Sequence, residues 1–492
     1  MNPDRPPDRP PCVVFEDEHL LVVNKPAGWN THAPSPHAGE GIYDWLRHRE
    51  PRWAGLAILH RLDKETSGVL VLGKTPLANR SLTRQFTERE VTKVYRFWTA
   101  SGRPGPDLHP DGAEVQPQGV GAWRVVSHLQ RSGDHQVSRR AGEAGERAET
   151  EFRRLGGGGG WTAWEARPRT GRTHQVRVQA AAVGWPVLGD TLYGGAPSDR
   201  VWLHAERLAF RHPESGESCE FAVPASGPGE GDGWSIVRAI IDPAETDAFR
   251  WLHGAGSGYP GLQADRLGPY VLLQGGGAWP APASLPRPWP DGVRGWYGKQ
   301  LRRDVRQAAP GEAGPRWLEG ELAPERFVVR ENGVRYELSF AEGYSVGLFL
   351  DQRDNRRRFL VNHVAGGFPV VAGGWAGREV LNTFAYTGGF SVSAARAGAR
   401  ATSLDLSRKY LDWARRNFVL NGLDPAGHDF IYGDCFDWLR RLAKKGRQFD
   451  AVLLDPPTFS QAKESGVFRA EKDYGKLVAL ALPLLAPEGI LF

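Results

Sequence analysis

The sequence predicts a multidomain protein of mixed α+β and α/β class. A sheet-rich first domain is followed by a small α+β middle domain and by a third domain on a doubly wound parallel sheet. Three observations carry this reading. Short β-branched and aromatic runs, separated by turn residues, crowd the first 224 positions. A Gly/Pro-rich break then runs from Ala225 to Gly233 (Ala-Ser-Gly-Pro-Gly-Glu-Gly-Asp-Gly). Beyond Phe327, apolar runs alternate with helical spacing, as they do where helices cross between parallel strands. The expected divisions are 1–224, a linker at 225–235, a middle domain at 236–326 and a third domain at 327–492.

The elements follow in order. Val13 to Val23 reads as two short strands around the charged turn Glu16 to His19. Asn24-Lys25-Pro26-Ala27-Gly28 breaks the pattern with turn chemistry. Gly68 to Gly73 is an apolar strand, Leu77 to Arg89 has helical spacing, and Val91 to Ala100 is again a strand. Gly156 to Gly160 reads as a hairpin loop, and Trp161 to Arg167 as a strand leading into Thr170-Gly171-Arg172. A second unit begins near Ile236, and Gly275 to Gly292 is rich in the turn residues of a surface loop. Arg335 to Phe340 is expected as a strand and Arg353 to Val364 as a helix. Glu379 to Phe384 is a buried strand, followed by a turn at Tyr386-Thr387-Gly388-Gly389 and a helix through Ala397. Ala401 to Leu406 is a strand. Lys409 to Asn421 is a helix with Leu411, Ala414 and Phe418 on one face. A short strand at Phe430 and Ile431, a helix from Phe436 to Lys445 and a strand from Phe449 to Leu454 continue the alternation.

Composition excludes several classes. No apolar run is long enough to span a bilayer, so no membrane partner is expected. The proline-rich, charged stretch Met1 to Pro11 has the pattern of neither a signal nor a transit peptide. Cys12, Cys219 and Cys435 lie far apart, with no zinc-type pair and no disulfide framework. A reducing, cytoplasmic setting fits. The formal charge of +5 is compatible with a nucleic-acid partner without requiring one.

The first chemistry lies in His60-Arg61-Leu62-Asp63-Lys64-Glu65-Thr66-Ser67-Gly68. A lone aspartate before Thr and Ser is ordinarily a turn or cap residue. The ordered series around it changes that reading. Asn24 to Gly28 comes before it, and Phe86 to Tyr95 and Gly171-Arg172-Thr173-His174-Gln175-Val176-Arg177 come after. Gly184-Trp185-Pro186-Val187-Leu188-Gly189-Asp190 with Tyr193-Gly194, and Leu203-His204-Ala205, close it. Together these segments, over about residues 13–224, resemble the pseudouridine synthase family that modifies ribosomal and transfer RNA. The resemblance implies a mixed antiparallel sheet with a central cleft, and needs neither cofactor nor metal. It implies Asp63 as the essential carboxylate, Tyr95 in the base pocket, Arg172 as the ion partner of Asp63, and Arg61 as the residue that props the helix when the base leaves it. A nearby arginine is expected to keep Asp63 ionised by lowering its pKa. His174 and His204 are expected to be structural.

The second chemistry begins with Asp455-Pro456-Pro457-Thr458-Phe459-Ser460, which resembles the fourth motif of S-adenosylmethionine (SAM) dependent methyltransferases. Upstream lie Leu381 to Gly389, then Asp405 ending a strand, then Gly433-Asp434. Asp405 follows the turn at the distance expected of a ribose-binding acid. An acid ending a strand is also commonly a helix cap. The cofactor-binding set is therefore Phe384, Tyr386, Gly388, Asp405, Asp434 and Asp455. Arg250 to Gly261 with Asp265-Arg266, and Gly347 to Arg356, are similar to the central and entry segments of a 23S rRNA methyltransferase family with a Rossmann-like SAM domain. That resemblance implies that Gln352, Arg353 and Arg356 border the donor or the RNA. A solvated basic helix face is the competing reading. Arg356-Arg357-Arg358 are candidates for phosphate contact. Cys435 does not stand where that family's cytosine-C5 enzymes carry their nucleophile. The chain is expected to be a piece of a longer protein, stopping short of the deciding residues.

The expected activity is isomerisation of uridine to pseudouridine in RNA, most naturally 23S rRNA, joined to SAM-dependent base methylation. The alternative is a synthase whose C-terminal region binds RNA or SAM without turnover. No DNA partner and no metal are expected.

Overall fold

The computed structural model describes residues 9–35, 39–101, 112–133, 135–139, 145–228, 235–254, 259–276, 292–301, 314–343, 345–462 and 466–492. Two compact units emerge. The first holds residues up to Asp242 except His48–Ala54, and the second holds those seven residues with Pro243–Phe492. Most of the linker expected at 225–235, and most of the loop expected at Gly275 to Gly292, lie outside the described residues.

The first unit is one mixed sheet of twelve strands. They are β1 (Val13–Glu16), β2 (Leu20–Lys25), β3 (Ala57–Ile58), β4 (Ser67–Gly73), β5 (Thr92–Ala100), β6 (Glu114–Gly119), β7 (Ala122–Ser132), β8 (His135–Arg139), β9 (Glu146–Gly158), β10 (Trp161–Pro168), β11 (Leu203–Arg211) and β12 (Ser218–Ala222). The main path runs β1-β2-β4-β11-β5-β10-β9-β7-β6. Every pairing along it is antiparallel except β4 with β11, which is parallel. Four helices accompany the sheet: α1 (Ile42–Arg49), α2 (Pro76–Thr87), α3 (Gln175–Ala182) and α4 (Ser235–Ile240). Thr75 caps α2 by accepting the Ala78 N–H, and Pro76 needs no partner at the first helical position. The glycine run is shorter as a loop than its composition suggests. Gly156 to Gly158 extend β9, and only Gly159 and Gly160 turn.

Strand β4 is buried at all seven positions, which its apolar sequence requires of a central strand. Gly68 has φ +118° at the parallel crossing, and a Cβ there would lie 2.2 Å from the Ala205 carbonyl oxygen. Two distant motifs, one carrying Asp63 and the other Leu203-His204-Ala205, therefore meet through a glycine. Along β5 the period of two puts Lys93, Tyr95 and Phe97 on one face. Phe97 enters an aromatic core with Phe152, Trp164 and Trp185, in which Trp164 and Trp185 lie 4.2 Å apart. Such ring pairs add about 1 kcal/mol each beyond their burial, so Tyr95 stands on a stiff strand.

The middle domain was expected to be α+β over 236–326. Its helix α4 falls in the first unit, and from Pro243 to Arg326 the described residues of the second unit show strands. These are β13 (Ala248–His253), β14 (Leu262–Leu267), β15 (Tyr270–Gly275), β16 (Gly295–Gln300) and β17 (Arg316–Gly320), paired in that order. A hairpin, β18 (Phe327–Glu331) and β19 (Val334–Leu338), follows. Helix α5 (Arg353–Val361) leads to β20 (Glu379–Thr383), α6 (Gly389–Arg396), β21 (Arg400–Asp405), α7 (Arg408–Leu420), β22 (Asp429–Tyr432), α8 (Cys435–Lys444) and β23 (Phe449–Leu454). A short hairpin, β24 (Phe459–Ala462) with β25 (Gly466–Arg469), precedes α9 (Ala470–Ala481) and β26 (Leu485–Leu491). The sheet order is β22-β21-β20-β23-β26, parallel throughout, as the alternation predicts. The boundary expected at 326/327 falls inside a shared core. Tyr270, Tyr297, Phe327, Tyr336, Phe340, Val392 and Phe418 pack in one cluster.

Gly68→Ala is expected to destabilise the first unit by roughly 2–4 kcal/mol, through a left-handed φ and a backbone clash together. A urea titration reads this as a lowered midpoint, while Gly28→Ala, which meets nothing within 4 Å, falls by less.

Candidate active site and donor pocket

In the first unit, Asp63 sits on the floor of a cavity of about 1100 Å³. Its turn is tied from several sides. The Thr66 N–H donates to the Asp63 carbonyl at 3.1 Å, and the Gly28 N–H to the Lys64 carbonyl at 2.8 Å. The buried Lys25 Nζ donates to the carbonyls of Pro26 (2.9 Å), Trp29 (2.6 Å) and Lys64 (3.2 Å). Three acceptors match the three hydrogens of an ammonium, so this cage holds the charged form. Burial pushes the Lys25 pKa down to about 7, with Asp63 and Glu65 opposing it. Behind the turn, Ser67 Oγ lies 2.8 Å from His204 Nδ1, and His204 Nε2 lies 2.9 Å from the Val223 carbonyl. His204 is thus the structural histidine expected of it.

The ion partner of Asp63 is Arg177, not Arg172. Arg177 is 3 % exposed. It grips Asp190 through two hydrogen bonds, Nε to Oδ2 at 2.6 Å and Nη2 to Oδ1 at 2.8 Å. The remaining Nη1 lies 3.8 Å from Asp63 Oδ2 and 3.4 Å from Glu65 Oε2. Arg172 instead donates to Glu146 at 2.7 Å on the cavity rim. The reason is helical. Arg172 lies in the turn before α3, whereas Arg177 is on its first turns and faces the sheet. Lys25, Arg177 and Asp190 all stood in quoted motifs, with no role assigned.

The direction of the Asp63 pKa also differs from expectation. Burial raises its pKa above the ordinary carboxylate value, while His174, Arg177 and Lys25 pull it back and Glu65 raises it further. Tyr95 lines the same cavity, and burial with the Asp63 charge pushes its phenol far up, so it stays protonated. His60 accepts the Val71 N–H on Nε2 at 3.1 Å and stacks on Phe86. Burial holds its pKa at about 3, so it stays neutral. Arg61 is exposed at the cavity lip, where Lys64, Arg89, Arg169 and Arg172 add positive charge.

In the second unit, the turn after β20 lines a small pocket of about 50 Å³. Phe384, Tyr386 and Asp455 border it, with Phe349, Gln352, Arg356 and Asn382. Phe384 and Tyr386 have φ of +54° and +48°. Left-handed backbone is costly for such residues and gathers at ligand sites. Asp405 Oδ2 accepts the Tyr386 N–H at 2.8 Å and Oδ1 the Ser407 N–H at 2.8 Å. A carboxylate has further lone pairs for hydroxyl donors. Burial raises its pKa. Gly388, with φ +79°, caps α6 against Ala414, where a Cβ would come within 2.8 Å. Asp434 caps α8, accepting the Asp437 N–H at 3.1 Å; Asp434, Asp405 and Gly388 are not among the pocket's lining residues. Gln352 Nε2 lies 3.4 Å from Asp455 Oδ1.

The triple arginine is not a phosphate face. Arg356 is 3 % exposed and forks onto Glu331 at 2.6 and 2.7 Å. Arg357 is buried, and Arg358 bonds Asn355 at 2.8 Å. Arg353 pairs with Asp354 and does not line the pocket. Cys435 is buried, and burial and Asp434 push its thiol well up, so it offers no thiolate.

Arg177→Ala is expected to cost roughly 3–5 kcal/mol, because it strands the buried Asp190 charge. Arg172→Ala removes an exposed pair worth under about 1 kcal/mol. Urea midpoints of the two variants compare them directly.

Comparisons with known proteins match this division. A family described as RNA pseudouridylate synthase matches residues 19–182, and one described as S-adenosylmethionine-dependent methyltransferase matches residues 292–492. A ribosomal RNA large subunit methyltransferase of Deinococcus radiodurans is 39% identical over 50% of this chain and 59% of its own length. Ribosomal RNA large subunit methyltransferase K of Neisseria meningitidis is 37% identical over 41% of this chain and 53% of its own. This chain thus spans somewhat over half the length of those two relatives. Ribosomal RNA large subunit methyltransferase I of Klebsiella pneumoniae is 31% identical over 68% of this chain and 78% of its own. Among solved structures, a putative methyltransferase complexed with SAH superposes with a TM-score of 0.44, at 26% identity over 58% of this chain and 72% of that one. The chain belongs to the ribosomal RNA large subunit methyltransferase family, and its residues 19–182 match the RNA pseudouridylate synthase family.

Proposed function

We propose that the first unit isomerises uridine to pseudouridine in RNA, and that the second binds SAM to methylate a base of large-subunit ribosomal RNA. The observation that carries the first half is Asp63 on a cavity floor, aimed by an arginine that is itself locked to Asp190. Isomerisation breaks the glycosidic carbon–nitrogen bond and forms a carbon–carbon bond to the same ribose. An ionised carboxylate assists the first step as nucleophile or as base. A cavity of about 1100 Å³ admits a flipped nucleotide with its flanks. Tyr95 gives a ring for the uracil, Arg61 stands where a prop for the opened helix is needed, and the basic rim meets phosphates.

For the second half, bound SAM supplies an activated methyl group. Asp405 accepts the ribose hydroxyls, Phe384 and Tyr386 shape the turn beside them, Gly388 lets α6 start there, and Asp434 and Asp455 flank the adenine and the target base. Phe349 and Tyr386, whose rings meet at 5.2 Å, line the same pocket. A cytoplasmic setting and a 23S rRNA substrate fit this reading.

Nucleoside mass spectrometry on unmodified 23S transcript incubated with the chain and SAM tests both halves. Pseudouridine that vanishes in Asp63→Ala supports the first, and a methylated base supports the second. Pseudouridine alone favours a second unit that binds without turnover, and neither product overturns the reading. Because Asp63 acts ionised and burial raises its pKa, the rate is expected to fall on acidification with a midpoint above the ordinary value of 3.8. Calorimetry with Asp405→Asn is expected to show SAM affinity lowered at least about tenfold, the loss of one charge-assisted hydrogen bond.

A further inference from the structure

The isomerisation leaves one proton without a handler. Once the uracil is rejoined through C5, that carbon still carries its hydrogen, while N1 has lost its sugar. A base must take the C5 proton, and N1 must gain one. Asp63 is engaged at the ribose, and the Tyr95 phenol is held protonated by its surroundings.

His174 is placed for this task. It lines the Asp63 cavity. It begins α3 in a left-handed conformation, φ +55°, which a histidine rarely adopts. Its Nδ1 lies 2.8 Å from Tyr193 Oη. Tyr193 Oη also accepts the Gln136 N–H at 3.1 Å, and the two rings meet edge to face at 5.7 Å. Arg177 lies over the Tyr193 ring at 5.2 Å. The imidazole is thereby oriented through one nitrogen, by a group tied to the arginine that aims Asp63. Among the described residues, Nε2 has no hydrogen-bond partner. An oriented base with one nitrogen held and the other free is the arrangement that general base catalysis needs.

We propose that His174, oriented by Tyr193, takes the C5 proton at Nε2 and returns it to N1, completing the isomerisation. The C5–H bond breaks, its electron pair re-forms the ring double bond, and N1 gains the proton as imidazolium reverts to imidazole. Nδ1–H donates to Tyr193 throughout, and the Asp63 carboxylate stabilises the transient cation. This assignment rests on the synthase reading of the Asp63 cavity.

The test uses the full chain and RNA transcript carrying uridine with hydrogen or deuterium at C5. His174→Asn keeps a residue that tolerates left-handed backbone and removes the base. The expected result is pseudouridine formation slowed about 10²–10⁴-fold, with a C5 isotope effect larger than that of the unaltered chain and RNA affinity unchanged. Tyr193→Phe is expected to shift rate and isotope effect the same way by less. A loss of rate with the isotope effect unmoved would mean that His174 only holds the fold, and would overturn the proposal. So would a variant within threefold of the parent. If the unaltered chain makes no pseudouridine on any RNA offered, the synthase reading itself fails.

Discussion

The geometry of the Asp63 cavity in the first unit hangs on one buried ion pair, Arg177 with Asp190. Arg177 is 3 % and Asp190 1 % exposed, so each charge would be costly without the other. The bidentate grip fixes the guanidinium plane, and with it the nitrogen that faces Asp63. An arginine free to rotate would neutralise the aspartate without aiming it. The same guanidinium covers the Tyr193 ring, which extends its influence to His174. Helix α3 carries the cation, and its N-cap residue carries the imidazole three positions earlier.

Around this pair, distant parts of the chain are drawn together by backbone chemistry. The turn holding Asp63 is bound below by the Lys25 ammonium and behind by the parallel crossing of β4 and β11. The crossing is close because Gly68 has no side chain. The second unit follows a different logic. Its parallel sheet places the turn after β20 and the acid ending β21 side by side, at the carboxyl ends of adjacent strands. Ligands of doubly wound folds bind there. The middle sheet and the hairpin of β18 and β19 share that unit's core, so the entry segment with Gln352 and Arg356 is fixed against the pocket.

Much of this was legible in the sequence. Periodicity located strands β20 to β23 and the helices α6 to α8 between them within a residue or two, because these strands carry short apolar, mostly buried runs and the helices an apolar face. The order of motifs singled out the Asp63 segment, Tyr95, the turn after β20 and Asp405, and the structure places Asp63 and Tyr95 in one cavity. The misses have physical causes. Arg172 and Arg177 are indistinguishable as charges in a string, and only the start of α3 between them decides which one turns inward. Three consecutive arginines looked like a solvated face, but the helix buries Arg356 against Glu331, a residue distant enough that no local pattern announces it. The Asp63 pKa depends on the balance between burial and the charged groups around it, and burial belongs to the tertiary fold.

The most direct test is a double-mutant cycle on the clamp, read by single-turnover pseudouridine formation. Arg177→Gln and Asp190→Asn are each made alone and then together. If the pair acts as one device, the double variant is as slow as Arg177→Gln alone, because Asp190 has no route to Asp63 except through Arg177. Losses that multiply would show that the two residues act independently, and would contradict the account.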